Sequence, residues 1–315
     1  MINGFHHLAL VVEDIDKVLP YYCKAAGLHR VKDTEALAIS QKHPELAGPG
    51  GASLDPCLLA GPNGYLMLLS RRQPTRRIAP IVDPINRPGI RHFCVQNRDC
   101  SILETGVLGN GGSLIAPPLD LGTGNQYAYA RDPEGNIMEI EGLPYAPADE
   151  PTWMGHVAIV TRDMDAAVEF YSKLFGTELK SRGRFGPGPQ FDRMGGLVDA
   201  RLEGAWLPAG NMQLELWQFH APEYPRDLAS RALCDPGYSH ICLETDAMDD
   251  AVARLVELGG ELISEVAENE QARSIFARDP EGNVIKLLEL RDLGRVISIA
   301  ALADPKVCAR VEAGR

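Results

Sequence analysis

The chain reads as an α+β protein in which one unit, a strand, then a helix, then several strands, occurs four times. The hexapeptide Arg131-Asp132-Pro133-Glu134-Gly135-Asn136 returns as Arg278-Asp279-Pro280-Glu281-Gly282-Asn283, 147 residues later. His7-Leu8-Ala9-Leu10-Val11 returns as His156-Val157-Ala158-Ile159-Val160 at an offset of 149, and Asp14, Tyr22 and Gly27 return as Asp163, Tyr171 and Gly176 at that same offset. His92 and Gly111-Gly112 match His240 and Gly259-Gly260 at 148. Chance matches would drift, so this near-constant offset marks a duplication. Each half divides again, because a strand opening on His begins near His7, His92, His156 and His240.

Each unit then follows in order. The first strands are rich in Val, Ile and Leu and alternate poorly, as suits a sheet covered on one face and lining a cleft on the other. Asp163 and Asp165 can cap the helix in which Ala167, Val168, Tyr171 and Leu174 keep helical spacing before Gly176 ends it. Asp249 and Asp250 precede Val252, Leu255, Val256 and Gly259 in the same way. Pro20 interrupts the first helical pattern, so that helix is expected to start late or bend. Strand candidates separated by Gly/Pro turns follow at residues 57–59, 65–69, 127–129 and 136–140. Connectors rich in Pro and charge fall near residues 73–89, 144–152 and 220–237. The expected division is an N-terminal domain, residues 1–146 with modules at about 4–72 and 89–143, then a C-terminal domain, residues 152–291 with modules at about 153–220 and 237–291. Residues 292–315 are a short helix and tail outside the repeat.

Composition narrows the function. A length of 315 residues suits two domains, and 45% hydrophobic with 23% charged residues is ordinary for a globular protein. A net charge of −12 argues against a nucleic-acid partner, since the basic stripe that would displace counterions is missing. The doublets Arg71-Arg72 and Arg76-Arg77 read as a solvated linker. Seven cysteines without a C-x-x-C pair give no disulfide framework, and the N-terminus has no basic region followed by an apolar core. A cytoplasmic protein, neither secreted nor membrane-embedded, is expected. Self-association into a homo-oligomer stays open.

The His-initiated strands, the Phe170-Tyr171 and Gly176 helix end and the two Asp-Pro-Glu-Gly-Asn turns together resemble the vicinal oxygen chelate (VOC) superfamily, over about residues 4–291. That superfamily holds glyoxalase I, methylmalonyl-CoA epimerase, fosfomycin and bleomycin resistance proteins and extradiol ring-cleaving dioxygenases. The resemblance implies four βαβββ modules paired into two open-barrel domains, with a divalent metal held from the first and last strands of each module. Fe(II) is the first choice of metal, with Mn, Zn, Ni or Co as alternatives. The first-strand positions are His7, His92, His156 and His240. The last-strand positions are Met67 or Leu68, Glu139, Glu215 and Lys286.

Two imidazoles and one carboxylate on one face leave coordination positions open for substrate. If consecutive modules pair, the first domain offers His7, His92 and Glu139, and the second offers His156, Glu215 and His240 beside Lys286, whose ammonium repels a metal. If modules two and three pair instead, His92, Glu139, His156 and Glu215 form one four-ligand site like that of glyoxalase I. Tyr129 and Glu139 around the first hexapeptide match the extradiol dioxygenase signature, where Phe276 and Lys286 stand in the second copy. The His that precedes the Tyr in that signature is missing from residues 120–126, and extradiol enzymes usually keep the metal in the C-terminal domain. For each of these residues there is a plainer reading: a buried strand-end His, a core Tyr, and for Glu139 a solvent-facing strand carboxylate, such as Glu141 is expected to be. His6, beside His7 on a regular strand, is expected at the surface.

The expected function is therefore a metal-dependent ring-cleaving dioxygenase of the extradiol type on a small catechol-like substrate, with His7, His92 and Glu139 on the metal and Tyr129 orienting the oxygenated intermediate. The alternative is a lyase, isomerase or epimerase that stabilises an enediolate, which four-ligand coordination through Glu215 favours. A third reading is a non-catalytic small-molecule binding protein.

Overall fold

The structure, a computed structural model, describes residues 1–32, 54–71, 82–225 and 232–314. The side chains of the Arg71-Arg72 and Arg76-Arg77 doublets lie outside the described residues. The first module is β1 (Ile2–Val12), α1 (Ile15–Ala25), β2 (His29–Arg30), β3 (Leu54–Ala60) and β4 (Tyr65–Arg71). The second is β5 (Gly89–Asn97), α2 (Cys100–Gly109), β6 (Ser113–Leu114), β7 (Gln126–Arg131) and β8 (Ile137–Gly142). The third is β9 (Trp153–Val160), α3 (Met164–Phe175), β10 (Ser181–Phe185), α4 (Pro189–Gly195), β11 (Arg201–Ala209) and β12 (Met212–Ala221). The fourth is β13 (Gly237–Thr245), α5 (Met248–Glu257), β14 (Glu261–Leu262), β15 (Ala267–Glu268), β16 (Ala272–Arg278) and β17 (Val284–Leu290). Two 3-10 turns and α6 (Val307–Ala313) close the chain.

Local chemistry accounts for the helices. The carboxylate of Asp14 accepts from the amides of Asp16 and Lys17, and that of Asp163 from the amide of Ala166, so each satisfies donors a helix start leaves open. Gly176 ends α3 at φ +69°, a left-handed conformation that favours glycine. Pro20 neither delays α1 nor touches the core: the helix runs through it, with the ring exposed. A Cβ at Gly106 would stand 2.8 Å from the Cα of Ala25, so this glycine lets α2 pack directly on α1. No helix among the described residues is long and apolar enough to cross a membrane.

Within every module the first and last strands pair in parallel, β1 with β4, β5 with β8, β9 with β12 and β13 with β17, and the helix provides the crossover such pairing needs. The sheets do not follow the consecutive halves of the chain. One has the order β14-β16-β17-β13-β1-β4-β3-β2, with β15 on β16, and joins modules one and four; the other, β10-β11-β12-β9-β5-β8-β7-β6, joins modules two and three. Each is an open, curved sheet, and its central seam is antiparallel, β1 on β13 or β5 on β9.

Consecutive modules are tied by something else, the repeated hexapeptide. Tyr22 of α1 donates to Asp132 at 2.8 Å, and Tyr171 of α3 donates to Asp279 at 2.8 Å. Glu134 accepts from the amides of Glu13 and Asp14, and Glu281 from those of Arg162 and Asp163, so each turn also grips the start of the preceding module's helix, α1 or α3. One apolar core unites the helices with the outer faces of both sheets. The tail belongs to the fold as well: α6 packs Val307 and Val311 against Trp153, and Glu312 binds Lys180 and Gln213.

Candidate metal centre

The pairing of modules two and three decides which side chains meet. Glu139 lies opposite Cys94, two residues beyond His92, and Glu215 lies opposite Ala158, two residues beyond His156. Residues two apart on a strand share a face, so both registers put an imidazole and a carboxylate on the concave side of the same sheet. There Glu139 Oε2 sits 3.1 Å from His92 Nε2 and 2.9 Å from His156 Nε2, and Glu215 Oε2 sits 3.5 and 3.1 Å from the same two nitrogens. All four residues are buried.

This arrangement fits a divalent cation. Two fully buried carboxylates beside two imidazoles need compensating charge, and Glu215 Oε2 is buried without a hydrogen-bond partner. Burial alone would push the Glu215 carboxyl up, but the imidazoles of His156 and His92 outweigh it and hold it well below the usual range. Burial would likewise lower His156, yet the carboxylates of Glu215 and Glu139 prevail and raise it. Nitrogen and carboxylate oxygen donors suit first-row divalent ions. His92 is oriented by packing, its ring edge-on to Tyr129 at 5.2 Å.

The neighbour pairing needed for His7, His92 and Glu139 does not occur, because β1 lies beside β13 in the other sheet. His7 instead meets His240, at 5.6 Å between ring centroids, so the set His156, Glu215 and His240 is divided as well. His6 is not at the surface. The pairing of β1 with β13 slips between Phe5 and His7, and the extra residue turns inward, where its Nδ1 lies 2.7 Å from that of His7. Tyr129 reaches the same cup as His92, but Phe276 packs against His240 in the matching relation at 5.1 Å, so the ring contact is common to both halves and the hydroxyl is what differs.

Sequence reasoning missed several neighbours of the cluster. Glu141 is buried rather than solvent-facing: Gln96 donates to it at 2.6 Å and Asn125 at 2.9 Å, and burial, with Glu139 beside it, pushes its carboxyl up to about 7. Its place two residues after Glu139 on a strand was the available signal. Asn125 comes from the stretch that lacks the expected His, so that loop does send a polar group into the cup. Trp206 donates from Nε1 to Glu215 Oε1 at 2.9 Å across the β11–β12 hairpin, a contact only the hairpin register reveals. Groups that orient a metal-binding carboxylate are worth about 10–100-fold in affinity. Trp206→Phe is therefore expected to weaken Co(II) binding by roughly that factor in a chelator competition assay.

Residues 4–140 and 153–287 match the Glyoxalase/Bleomycin resistance protein/Dioxygenase superfamily. The chain belongs to this superfamily. Among its relatives, the chain is 26% identical over 163 residues to glyoxylase I 4 of Arabidopsis thaliana, covering 51% of this chain and 83% of that one. Glyoxalase I from Zea mays has a similar structure, with a TM-score of 0.63 at 18% identity over 95% of this chain and 96% of its own. A putative dioxygenase from Bacillus subtilis is similar too, with a TM-score of 0.62 at 12% identity over 100% of this chain and 96% of its own. At these identities the structural likeness speaks for the glyoxalase-like fold, which hosts both lyases and dioxygenases, and leaves the reaction to the site.

Proposed function

We propose that the protein is a metal-dependent lyase or isomerase of the glyoxalase I kind, which moves a proton within a small substrate carrying two adjacent oxygens. The observation that supports this reading is the convergence of four buried donors, His92, Glu139, His156 and Glu215, in place of three. An octahedral ion takes about six donors, so four from the protein leave two, matching two vicinal oxygens. Ring cleavage by dioxygen needs a third open position, which the three-donor set would leave. When bound, the cation supplies a Lewis acid for the negative charge that develops on the substrate oxygens.

The chain supplies the rest. His92 and His156 would hold the ion through Nε2, with Glu139 Oε2 lying between both imidazoles. Glu215 has the longer contacts to the imidazoles and its Oε1 fixed by Trp206, so of the four donors it is the one that would yield its place to the substrate's oxygens and, with Oε2 freed, take the proton from the substrate carbon and return it to the neighbouring one. Ile85, Ile137 and Met194 pack with Tyr129 beside the cluster and keep bulk water from the exchanging proton.

The test uses metal-loaded protein in deuterated buffer with hemithioacetals of 2-oxoaldehydes and with 2-hydroxyketones. Turnover without oxygen uptake is expected, and Glu215→Gln should lower kcat by about 10²–10⁴-fold. Consumption of one oxygen per molecule of a catechol would overturn the reading in favour of ring cleavage.

A further inference from the structure

The duplication supplies a second cup with the same frame. His7 and His240 are 5.6 Å apart with rings inclined at 74°, against 5.7 Å and 70° for His92 and His156. Met67 lies opposite Ala9, two residues beyond His7, and Lys286 lies opposite Cys242, two residues beyond His240. These are the register positions of Glu139 and Glu215. The second cup has thus exchanged two carboxylates for a thioether and an amine.

Its surroundings fit that exchange. Lys286 is fully buried, with Nζ 5.8 Å from the centroid of the Phe276 ring. The cup is filled with apolar side chains such as Ala9, Val11, Tyr65 and Leu288, and Ile297 of the tail packs against them. The Ile297 carbonyl accepts from His6 Nε2 at 2.8 Å, so His6 Nδ1 is left to accept from His7 Nδ1. Burial, and then the charge of Lys286, lower His6 to about 3; burial, and then His6, with Lys286 and His240 behind it, lower His7 well below its usual value. His6, His7 and Cys242 do bring three potential ligand atoms together, but they do not suit a metal. Two of the nitrogens bond each other, and burial pushes the Cys242 thiol up to about 12, away from the thiolate a metal requires.

We propose that the cup between β1 and β13 is a metal site silenced at one position: the Lys286 side chain stands where a carboxylate ligand would, and a carboxylate in its place suffices to complete a 2-His-1-carboxylate site with His7 and His240. This rests on reading His92, Glu139, His156 and Glu215 as the working metal centre.

The experiment counts Co(II) per chain after loading and dialysis, with the visible Co(II) spectrum as a second readout. The full chain is expected to hold one ion, Lys286→Glu two, and Lys286→Gln one. With Glu139→Ala and Glu215→Ala together, the wild-type background should hold none and the Lys286→Glu background one. An unchanged count in Lys286→Glu overturns the proposal, as does an ion that survives Glu139→Ala with Glu215→Ala in the wild-type background. If the wild-type chain holds no Co(II), the proposed function fails, whereas a gain of one ion in Lys286→Glu still upholds the silenced cup. If Lys286→Glu unfolds without metal, refolding that depends on Co(II) supports the proposal and failure to refold at any Co(II) level contradicts it.

Discussion

Glu139→Gln and His156→Ala are each expected to leave a folded protein that has lost its metal and at least 10³-fold of kcat/KM. Glu139 Oε2 is the atom nearest both imidazoles, at 3.1 and 2.9 Å, so its loss opens the donor set from its centre. The Lewis-acid contribution of a bound ion is several kcal/mol, and each 1.36 kcal/mol of barrier is tenfold in rate, so about 4 kcal/mol gives the factor quoted. Folding should survive, because the cluster lies on the concave side of its sheet, apart from the main apolar core. His7→Ala is the control. It removes a buried imidazole from the other cup and should lower stability by about 1–3 kcal/mol while metal content stays at the wild-type level. Metal analysis and a denaturant titration on the same preparations check both halves of this expectation. Retention of metal in Glu139→Gln and His156→Ala, or its loss in His7→Ala, would refute the assignment.

The largest effect on stability is expected at the repeated hexapeptide. Asp132 accepts from the Tyr22 hydroxyl, the Asn136 side chain and the amides of Glu134 and Asn136, at 2.8–2.9 Å. Asp279 accepts the equivalent four bonds, at 2.7–3.0 Å, from Tyr171, Asn283 and Glu281. Asp132→Ala or Asp279→Ala strands these donors in a buried turn. Unpaired buried donors cost about 1–3 kcal/mol each before relaxation, so a loss of roughly 3–5 kcal/mol is expected from either change. Tyr22→Phe removes one bond to a carboxylate and should lose about 1.5–3 kcal/mol. Urea unfolding monitored by circular dichroism measures this, and a change under 1 kcal/mol in Asp132→Ala would show that the turn is not a clip between modules.

These two features show what a single sequence could and could not disclose. The four units were visible because strand, capped helix and turn are local, and Asp163, Gly176 and the hexapeptides mark their limits over a few residues each. Tyr22 and Tyr171 were visible only as matched positions. Their bonds to Asp132 and Asp279 span 110 and 108 residues and needed the fold. Sheet pairing was the main uncertainty, because nothing local in β1 or β5 says which other first strand each will meet. With consecutive pairing, His7 joined His92; with the observed pairing, it joins His240, and the alternative group of His92, Glu139, His156 and Glu215 comes together instead. His6 was misplaced for a smaller reason of the same kind, since strict alternation fails where a strand carries an extra residue. The contrast between Glu139 and Lys286 favoured the first half, whereas the four-residue group takes His92 and Glu139 from that half and His156 and Glu215 from across the duplication boundary.

The central claim is that a single metal ion binds between modules two and three. The most direct measurement is anomalous diffraction at the metal edge from crystals of Co(II)-loaded protein. One peak within bonding distance of His92 Nε2, His156 Nε2, Glu139 and Glu215 is the predicted result, and a peak beside His7 and His240, or none among the four, would contradict it.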